Sequence, residues 1–527
     1  MDKMKILAIG SNEYEVMDSK ARPVHNISEM KTLDNLVPGD IIRTIGYHTA
    51  NDGGGAIYMI REKDVADVED NGLIHFINDT LVAELVTNDV INVKQFGAYA
   101  NGETDDRFAF VNALATGTKK LYIPNGRYFV SAVIPVPETC SSIIGDSIKG
   151  TIINCNNDCF DFGTVTKNHL QLSSISFIGD NNNKVGTAIK GKFSFSKIEN
   201  LRFAHFNKAI ESIYGTWITL VENCDFSYCN YGWYHDTTLL NNVKFLNCYF
   251  QHMDTAFYCG GASKQINFSG CNIETSVCAF DVVVMDTFVV DNCYIEANDN
   301  ILKMNGHYYD SDYIFRECFF YPKETEAING WLCYARTTND LDVRRSMLTI
   351  ENCLIENKDT NIKPFAFDNS HDSSHTKCYL AISLINNNYN DMDINTYFDL
   401  FDLNNCPDYG NRNNCLPIVT DLPFYKNSNC EWYIKHKGKR NNHLAKNLIF
   451  HAFGNIEISS TGKTQLTIPL SKLVIKNPAV SNLTCTVRYT DATVEVKEAK
   501  IDIDNNLYVT KVDSAKEVQK VILDITY

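Results

Sequence analysis

A five-residue phrase returns along the middle of this 527-residue chain at a nearly constant interval. It reads Glu222-Asn223-Cys224-Asp225-Phe226, Leu246-Asn247-Cys248-Tyr249-Phe250, Ser269-Gly270-Cys271-Asn272-Ile273, Asp291-Asn292-Cys293-Tyr294-Ile295, Arg316-Glu317-Cys318-Phe319-Phe320 and Glu351-Asn352-Cys353-Leu354-Ile355. The cysteines step by 24, 23, 22 and 25 residues, then by 35. One step upstream, Asn200-Leu201-Arg202-Phe203 carries Leu in the cysteine place. A unit this short cannot bury an apolar face by itself, so successive units must stack.

The phrase has internal grammar. Apolar residues stand three before each cysteine (Val221, Phe245, Phe268, Val290, Phe315, Ile350) and two after it (Phe226, Phe250, Ile273, Ile295, Phe320, Ile355). Five before stand Thr219, Val243, Ile266, Phe288, Tyr313 and Leu348. These positions make two short strands of period two, with the phase broken at the Asn. Asn tolerates a bend there, and stacked Asn side chains can bond from coil to coil. A later apolar pair, such as Ala209-Ile210, Gly232-Trp233 or Ala279-Phe280, supplies a third strand. Three strands per turn predict an all-β fold, the right-handed parallel β-helix, each coil rising roughly 4.8 Å. A leucine-rich repeat would need a helical half, and the pattern shows none.

Composition removes several classes. Of the 18 cysteines, six occupy one interior rung, where Cys acts as a small hydrophobe, so neither disulfides nor zinc fingers are expected. A net charge of −16 argues against a nucleic-acid partner. No apolar run is long enough to span a membrane, and polar residues follow Met1–Leu7 at once, so we expect neither a membrane segment nor a secretion signal.

The strongest family signal lies ahead of the repeat. Val93-Lys94-Gln95-Phe96-Gly97-Ala98 leads to Asn101-Gly102-Glu103-Thr104-Asp105-Asp106, then Phe108 to Leu114, then Leu121-Tyr122-Ile123-Pro124-Asn125-Gly126-Arg127-Tyr128. This resembles the opening of the pectate-lyase-like β-helix superfamily, in the form used by phage tailspikes and tail appendages. The resemblance implies a helix, capped by Thr104 or Asp105 with Phe108, Val111 and Leu114 on its inner face, that covers the first coil. Asp105 and Asp106 then have structural roles. Residues 26–90, with Gly46-Tyr47, Asp52-Gly53-Gly54-Gly55 and Tyr58, are similar to the neck module ahead of many tailspike β-helices. Residues 1–25, read as a hairpin over Ile6–Val16 and a helix start at Asp18–Arg22, resemble tail-attachment segments. The β-helix is expected over 91–400, a linker over 401–447, and a β-sandwich for binding or trimerisation over 448–527.

The same resemblance implies a homotrimeric virion protein, attached to the phage tail or baseplate through its N-terminus. Its partner would be a bacterial surface polysaccharide or teichoic acid, cleaved without a cofactor. On a β-helix the outward residues form ladders along which a glycan can lie. The place after the cysteine holds Arg202, Asp225, Tyr249, Asn272, Tyr294 and Phe319; three after it stand Ser227, Gln251, Glu274, Glu296, Tyr321 and Glu356. Glu274 and Glu296 on adjacent coils are the expected general acid and ionised partner of a glycosidase, retaining at a separation of about 5 Å and inverting at a longer one, with Asp225 as a longer-reach partner. A turn role would also explain them, since Glu356 repeats the pattern. Tyr249, Tyr294, Trp233, His235 and Arg202 are the expected substrate contacts. A lyase would draw a base from Tyr234-His235-Asp236 or His307-Tyr308-Tyr309-Asp310. A teichoic-acid phosphodiesterase would need a metal set such as His371, Asp372 and His375. The excursion over 321–347, with Trp331, Arg336, Asp340, Asp342, Arg344 and Arg345, and the basic run Lys435–Arg440 are further places for binding groups.

Overall fold

A computed structural model describes residues 21–527 except 88–89, 238, 306–310, 324–329, 337–344, 358–361, 369–378, 391–400, 403–417, 421–432, 437–446, 452–464, 470–482, 502–505, 514, 517 and 527. The architecture is all-β, with a right-handed parallel β-helix as its main element. The chain divides into two compact units, Met1–His235 with Val243–Ala256, and Asp236–Asn242 with Phe257–Tyr527.

The first unit opens with a five-stranded sheet over residues 22–85, in which Ile41–Thr44 and Ile57–Glu62 run antiparallel. The helix expected near Ser28 spans Ile27–Lys31, and the Asn26 side chain caps it by accepting from the Glu29 N–H. Coils follow. Lys120–Ile123, Ser142–Gly145, Gln171–Ile178 and Lys197–Ala204 pair in parallel, one coil on the next. Inside, Leu121, Ile143, Leu172, Ile198 and Val221 are stacked and fully buried. Beside them Phe177, Phe203, Phe226 and Phe250 stack ring on ring at 5.4, 5.1 and 4.5 Å. These distances match the coil rise, so each ring covers its neighbour; each burial is worth about 1.5–3 kcal/mol.

In the second unit Asn272, Tyr294, Phe319 and Leu354 pair in series, which piles Cys271, Cys293, Cys318 and Cys353 above one another. The rung is tight: the Cys271 N–H donates to Cys293 Sγ and the Cys318 N–H to Cys353 Sγ, both at 3.4 Å. Parallel pairing runs beyond residue 400, since Ile418–Thr420 lies on Tyr379–Ile385. Among the described residues the C-terminal strands pair in a seven-stranded antiparallel sheet that includes Tyr433–His436.

The break in phase has a backbone cause. Asn200, Asn223, Asn247, Gly270, Asn292, Glu317 and Asn352 all have φ between 50° and 62°. Asn and Gly reach this left-handed region at least cost, which is why they dominate the row. The bond between coils is made here by the backbone: the Asn223 N–H donates to the Leu246 carbonyl, and the Asn292 N–H to that of Arg316, both at 2.9 Å.

Two expectations need correction. The capping helix spans Arg107–Ala115 but buries Ala109, Phe110, Ala113 and Leu114, while Phe108 is 67% exposed. Phe110 sets that rotation by packing edge-on against Tyr128 at 5.5 Å and Phe160 at 6.0 Å. Its N-cap is Asp106, whose carboxylate does not cap; it accepts the Tyr99 N–H at 2.6 Å and the Ala100 N–H at 3.2 Å. Asp105 accepts the N–H of Arg107 and both the N–H and hydroxyl of Ser131. The two aspartates therefore tie the helix start to the strands around it. Trp331 is also no surface group: it is fully buried, and its carbonyl accepts the Ile301 N–H. Residues 6–16, His307–Asp310, Asp340, Asp342, Arg344, His371, Asp372, His375 and 437–440 lie outside the described residues.

Candidate functional site

Each unit presents a flank built by the strand that follows the Asn bend. In the first unit Arg202, Asp225 and Tyr249 stand in register on successive coils. Arg202 Nε lies 3.7 Å from Asp225 Oδ2, and the buried Ser227 hydroxyl donates to Asp225 Oδ1. Gln251 Nε2 donates to that hydroxyl at 3.1 Å, and the Tyr249 O–H donates to Gln251 Oε1 at 3.1 Å. This strip is a continuous polar network whose donors and acceptors are largely spent on one another.

A row of rings runs beside it, outside the five-residue phrase. His205, Tyr228 and His252 stand four places after the Leu201, Cys224 and Cys248 positions, all with positive φ. Their rings stack at 5.4 and 4.6 Å. Burial, together with Lys184 and Arg202 nearby, pushes the His205 imidazole below its ordinary pKa. The signal was present as a recurring aromatic or His at that offset.

In the second unit Glu274 and Glu296 face each other directly across two paired strands, both half-buried. Asn272 Nδ2 donates to Glu274 Oε1 at 2.6 Å, and the Tyr294 hydroxyl donates to Glu296 Oε2. That bond to a carboxylate pushes the Tyr294 pKa up to about 12, so the phenol stays a donor. The Tyr294 ring stacks on Phe319 at 4.8 Å, and Phe319 lies nearly parallel to Tyr321. The column continues through Tyr321, and Glu356 Oε1 accepts from Asn390 Nδ2 at 3.0 Å. Two carboxylates with a flat aromatic face beside them can bind a sugar ring and exchange a proton with it.

Two expected substrate contacts are core residues. Trp233 is fully buried, edge-on to Phe245 at 5.4 Å, because its strand turns that position inward. His235, two residues on, has the same orientation and is fully buried, with Nδ1 2.9 Å from the Ser212 hydroxyl. Asp225 belongs to the first unit's network and the glutamates to the second unit. Among the described residues no group of three or more His, Cys, Asp or Glu is arranged to hold a metal ion.

Known proteins bear on this geometry. Residues 90–303 match the family model described as rhamnogalacturonase A/epimerase, pectate lyase-like. The match takes in less than half of the chain. A pre-neck appendage protein of Bacillus phage B103 is 40% identical over 63 residues, which are 12% of this chain and 7% of that protein. Two solved structures are similar over most of the chain. The tailspike protein of Acinetobacter baumannii phage AM24 is 11% identical, covers 97% of this chain and 94% of its own, and has a TM-score of 0.49. The tailspike protein gp49 of Acinetobacter baumannii bacteriophage Fri1, a capsular polysaccharide depolymerase, is 13% identical, covers 95% and 97%, and has a TM-score of 0.47. The matched stretch contains both Glu274 and Glu296 and the whole of the first flank. Among the described residues no helix is long and apolar enough to cross a membrane.

Proposed function

We propose that this chain is a phage tail appendage of the tailspike kind, a virion component that binds a bacterial surface polysaccharide along its β-helix and cleaves it as a glycosidase. The match to a pre-neck appendage protein supports the place in the virion. The cleavage reading rests on one observation: Glu274 and Glu296 are register partners on an outward column beside the Tyr294–Phe319 stack. Adjacent parallel strands lie roughly 4.8 Å apart, close to the separation of about 5–5.5 Å used by retaining glycosidases. In this reading the Glu296 carboxylate, oriented by the Tyr294 hydroxyl, attacks the anomeric carbon. Glu274 donates a proton to the departing glycosidic oxygen and then activates the water that releases the product. Asp225, held by Ser227 and Arg202, orients the first flank.

The test is incubation of the purified protein with surface polymer from its host. New reducing ends that retain anomeric configuration are expected, and Glu274→Gln or Glu296→Gln abolishes them. Full cleavage by both variants would remove the glutamates from the mechanism. A second reading, a receptor-binding spike without catalysis, draws support from Glu356, which occupies the same column and is held by Asn390. Binding with no product at any enzyme concentration would select it. Released phosphate or an unsaturated product would select a phosphodiesterase or a lyase.

A further inference from the structure

The first unit carries an exposed aromatic ridge that the glutamate pair does not use. On successive coils Asn168, Ser194 and Trp217 pair, and the next position holds His169, Phe195 and Ile218. Phe195, Trp217 and Ile218 are 51%, 42% and 44% exposed, and Tyr214 beside them is 54% exposed. His169 stacks on Phe195 at 5.4 Å. Large apolar side chains exposed at successive coil positions mark a candidate binding surface.

The backbone pays for the display. His169, Phe195 and Ile218 have φ of 60°, 49° and 49°. A β-branched or bulky residue in this region is a true outlier costing on the order of 1–3 kcal/mol. The equivalent bend at the phrase itself is filled by Asn or Gly in every coil but the one with Glu317. Apolar residues at this strained bend gain nothing from burial, so their use lies outside the fold.

One cation marks the ridge. Lys190 and Lys192 lie two apart on the same strand and side. Lys190 is paired with Glu211 at 3.6 Å. Lys192 has no ion-pair partner among the described residues, and its Nζ stands 5.7 Å from the Tyr214 ring centre. Gly215 makes the room: a Cβ there would come within 2.6 Å of Lys192 Cε. An unpaired ammonium beside flat aromatic faces, on a chain of net charge −16, selects a ligand with a ring to stack and a single anionic group to bond. A nucleic acid stacks too, but its phosphate backbone demands many cations.

We propose that Phe195, Tyr214, Trp217, Ile218 and Lys192 form a non-catalytic binding site for acidic sugar residues, stacking the pyranose ring on Trp217 or Tyr214 and pairing its carboxylate with Lys192. The site shares the ligand class of the glycosidase reading but none of its residues.

Of the four tryptophans Trp233 and Trp331 are fully buried, and Trp217→Phe singles out the signal of Trp217 from that of Trp432. The probes are a hexasaccharide alternating hexuronate with N-acetylhexosamine and a neutral hexasaccharide of equal length. Both are titrated by calorimetry and tryptophan fluorescence into the full chain carrying Glu274→Gln and Glu296→Gln. The acidic probe is expected to bind at least tenfold tighter than the neutral one, to perturb the fluorescence, and to weaken as salt rises. Trp217→Ala and Lys192→Gln should each cost at least tenfold, and Trp217→Phe should remove the fluorescence change while keeping most of the affinity. Equal affinity for the two probes, no binding of either, or unchanged binding by Trp217→Ala overturns the proposal. So does sedimentation in which Trp217→Ala lowers the assembly mass and leaves glycan affinity intact, which would make the ridge a contact between copies. Loss of cleavage in the glutamate variants with the ridge still binding separates this proposal from the glycosidase reading.

Discussion

The two flanks grow from one repeat yet differ in how their polar groups are used. On the first, Arg202, Asp225, Ser227, Gln251 and Tyr249 bond mainly to one another. On the second, Glu274 and Glu296 accept from Asn272 and Tyr294 of their own strands and face each other across the coils. A carboxylate beside a cation is a fastened group. Two carboxylates directly opposite each other on paired strands repel and are held only by the rigid coils. The scaffold is common to both; the chemistry depends on which side chains occupy equivalent outward places.

That contrast can be broken most sharply at the carboxylates. Glu274→Gln and Glu296→Gln should each lower cleavage by about 10²–10⁴-fold, whereas Asp225→Asn should stay within a few-fold, measured as reducing ends per minute. An equal loss in Asp225→Asn would erase the distinction between the flanks. Next come the cores beneath them. Phe226→Ala and Phe320→Ala should each cost roughly 3–5 kcal/mol, read as a large fall in melting temperature. A near-silent Phe226→Ala would deny that the ring stack holds the first unit together.

The capping aspartates sharpen the comparison by pH. Burial pushes Asp106 up to about 6, while its backbone donors and the neighbouring Asp105 act less strongly. Its ordinary value is 3.8, so its contribution to stability is full below that and is lost as pH rises through about 6, a change on the order of 2–3 kcal/mol. Asp105 is shifted down, by hydrogen bonds from Ser131 and Arg107 that outweigh its partial burial. Its contribution is present above pH 3.8 and is lost as pH falls further. Melting curves from pH 3 to 8 should lose the slope between pH 4 and 6 in Asp106→Asn and the acid limb in Asp105→Asn. The smallest effect is expected at Glu317, the acidic residue in the row of Asn bends, at φ 53°. Glu317→Asn should raise stability by about 0.5–1 kcal/mol, visible as a melting temperature a degree or so higher.

The coil was legible because its residues obey two local rules at once. Period two selects what turns inward, and an Asn or Gly is needed wherever the bend requires positive φ. Each residue three before and two after a phrase cysteine is fully buried, and the cysteines themselves are at most 3% exposed. The facing of Glu274 and Glu296 was legible for the same reason, because a constant repeat sets the register. Trp233 and His235 were misjudged where that rule was set aside: as aromatic and titratable types they suggested ligand contacts, but their strand turns both inward. The ridge at Phe195 and Trp217 escaped notice because it lies outside the phrase, at a second bend whose residues vary in type.

What the sequence determined by itself was the period, the inward set and the bends, since these follow from the sterics of single residues and neighbours along the chain. Only the tertiary structure decided which outward groups bond across the coils and which, like Glu274 and Glu296, accept from their own strand. It also decided the rotation of the capping helix, where Phe110 displaced Phe108. Both depend on distances between coils and on competition among side chains for the same space, which no spacing along a chain encodes.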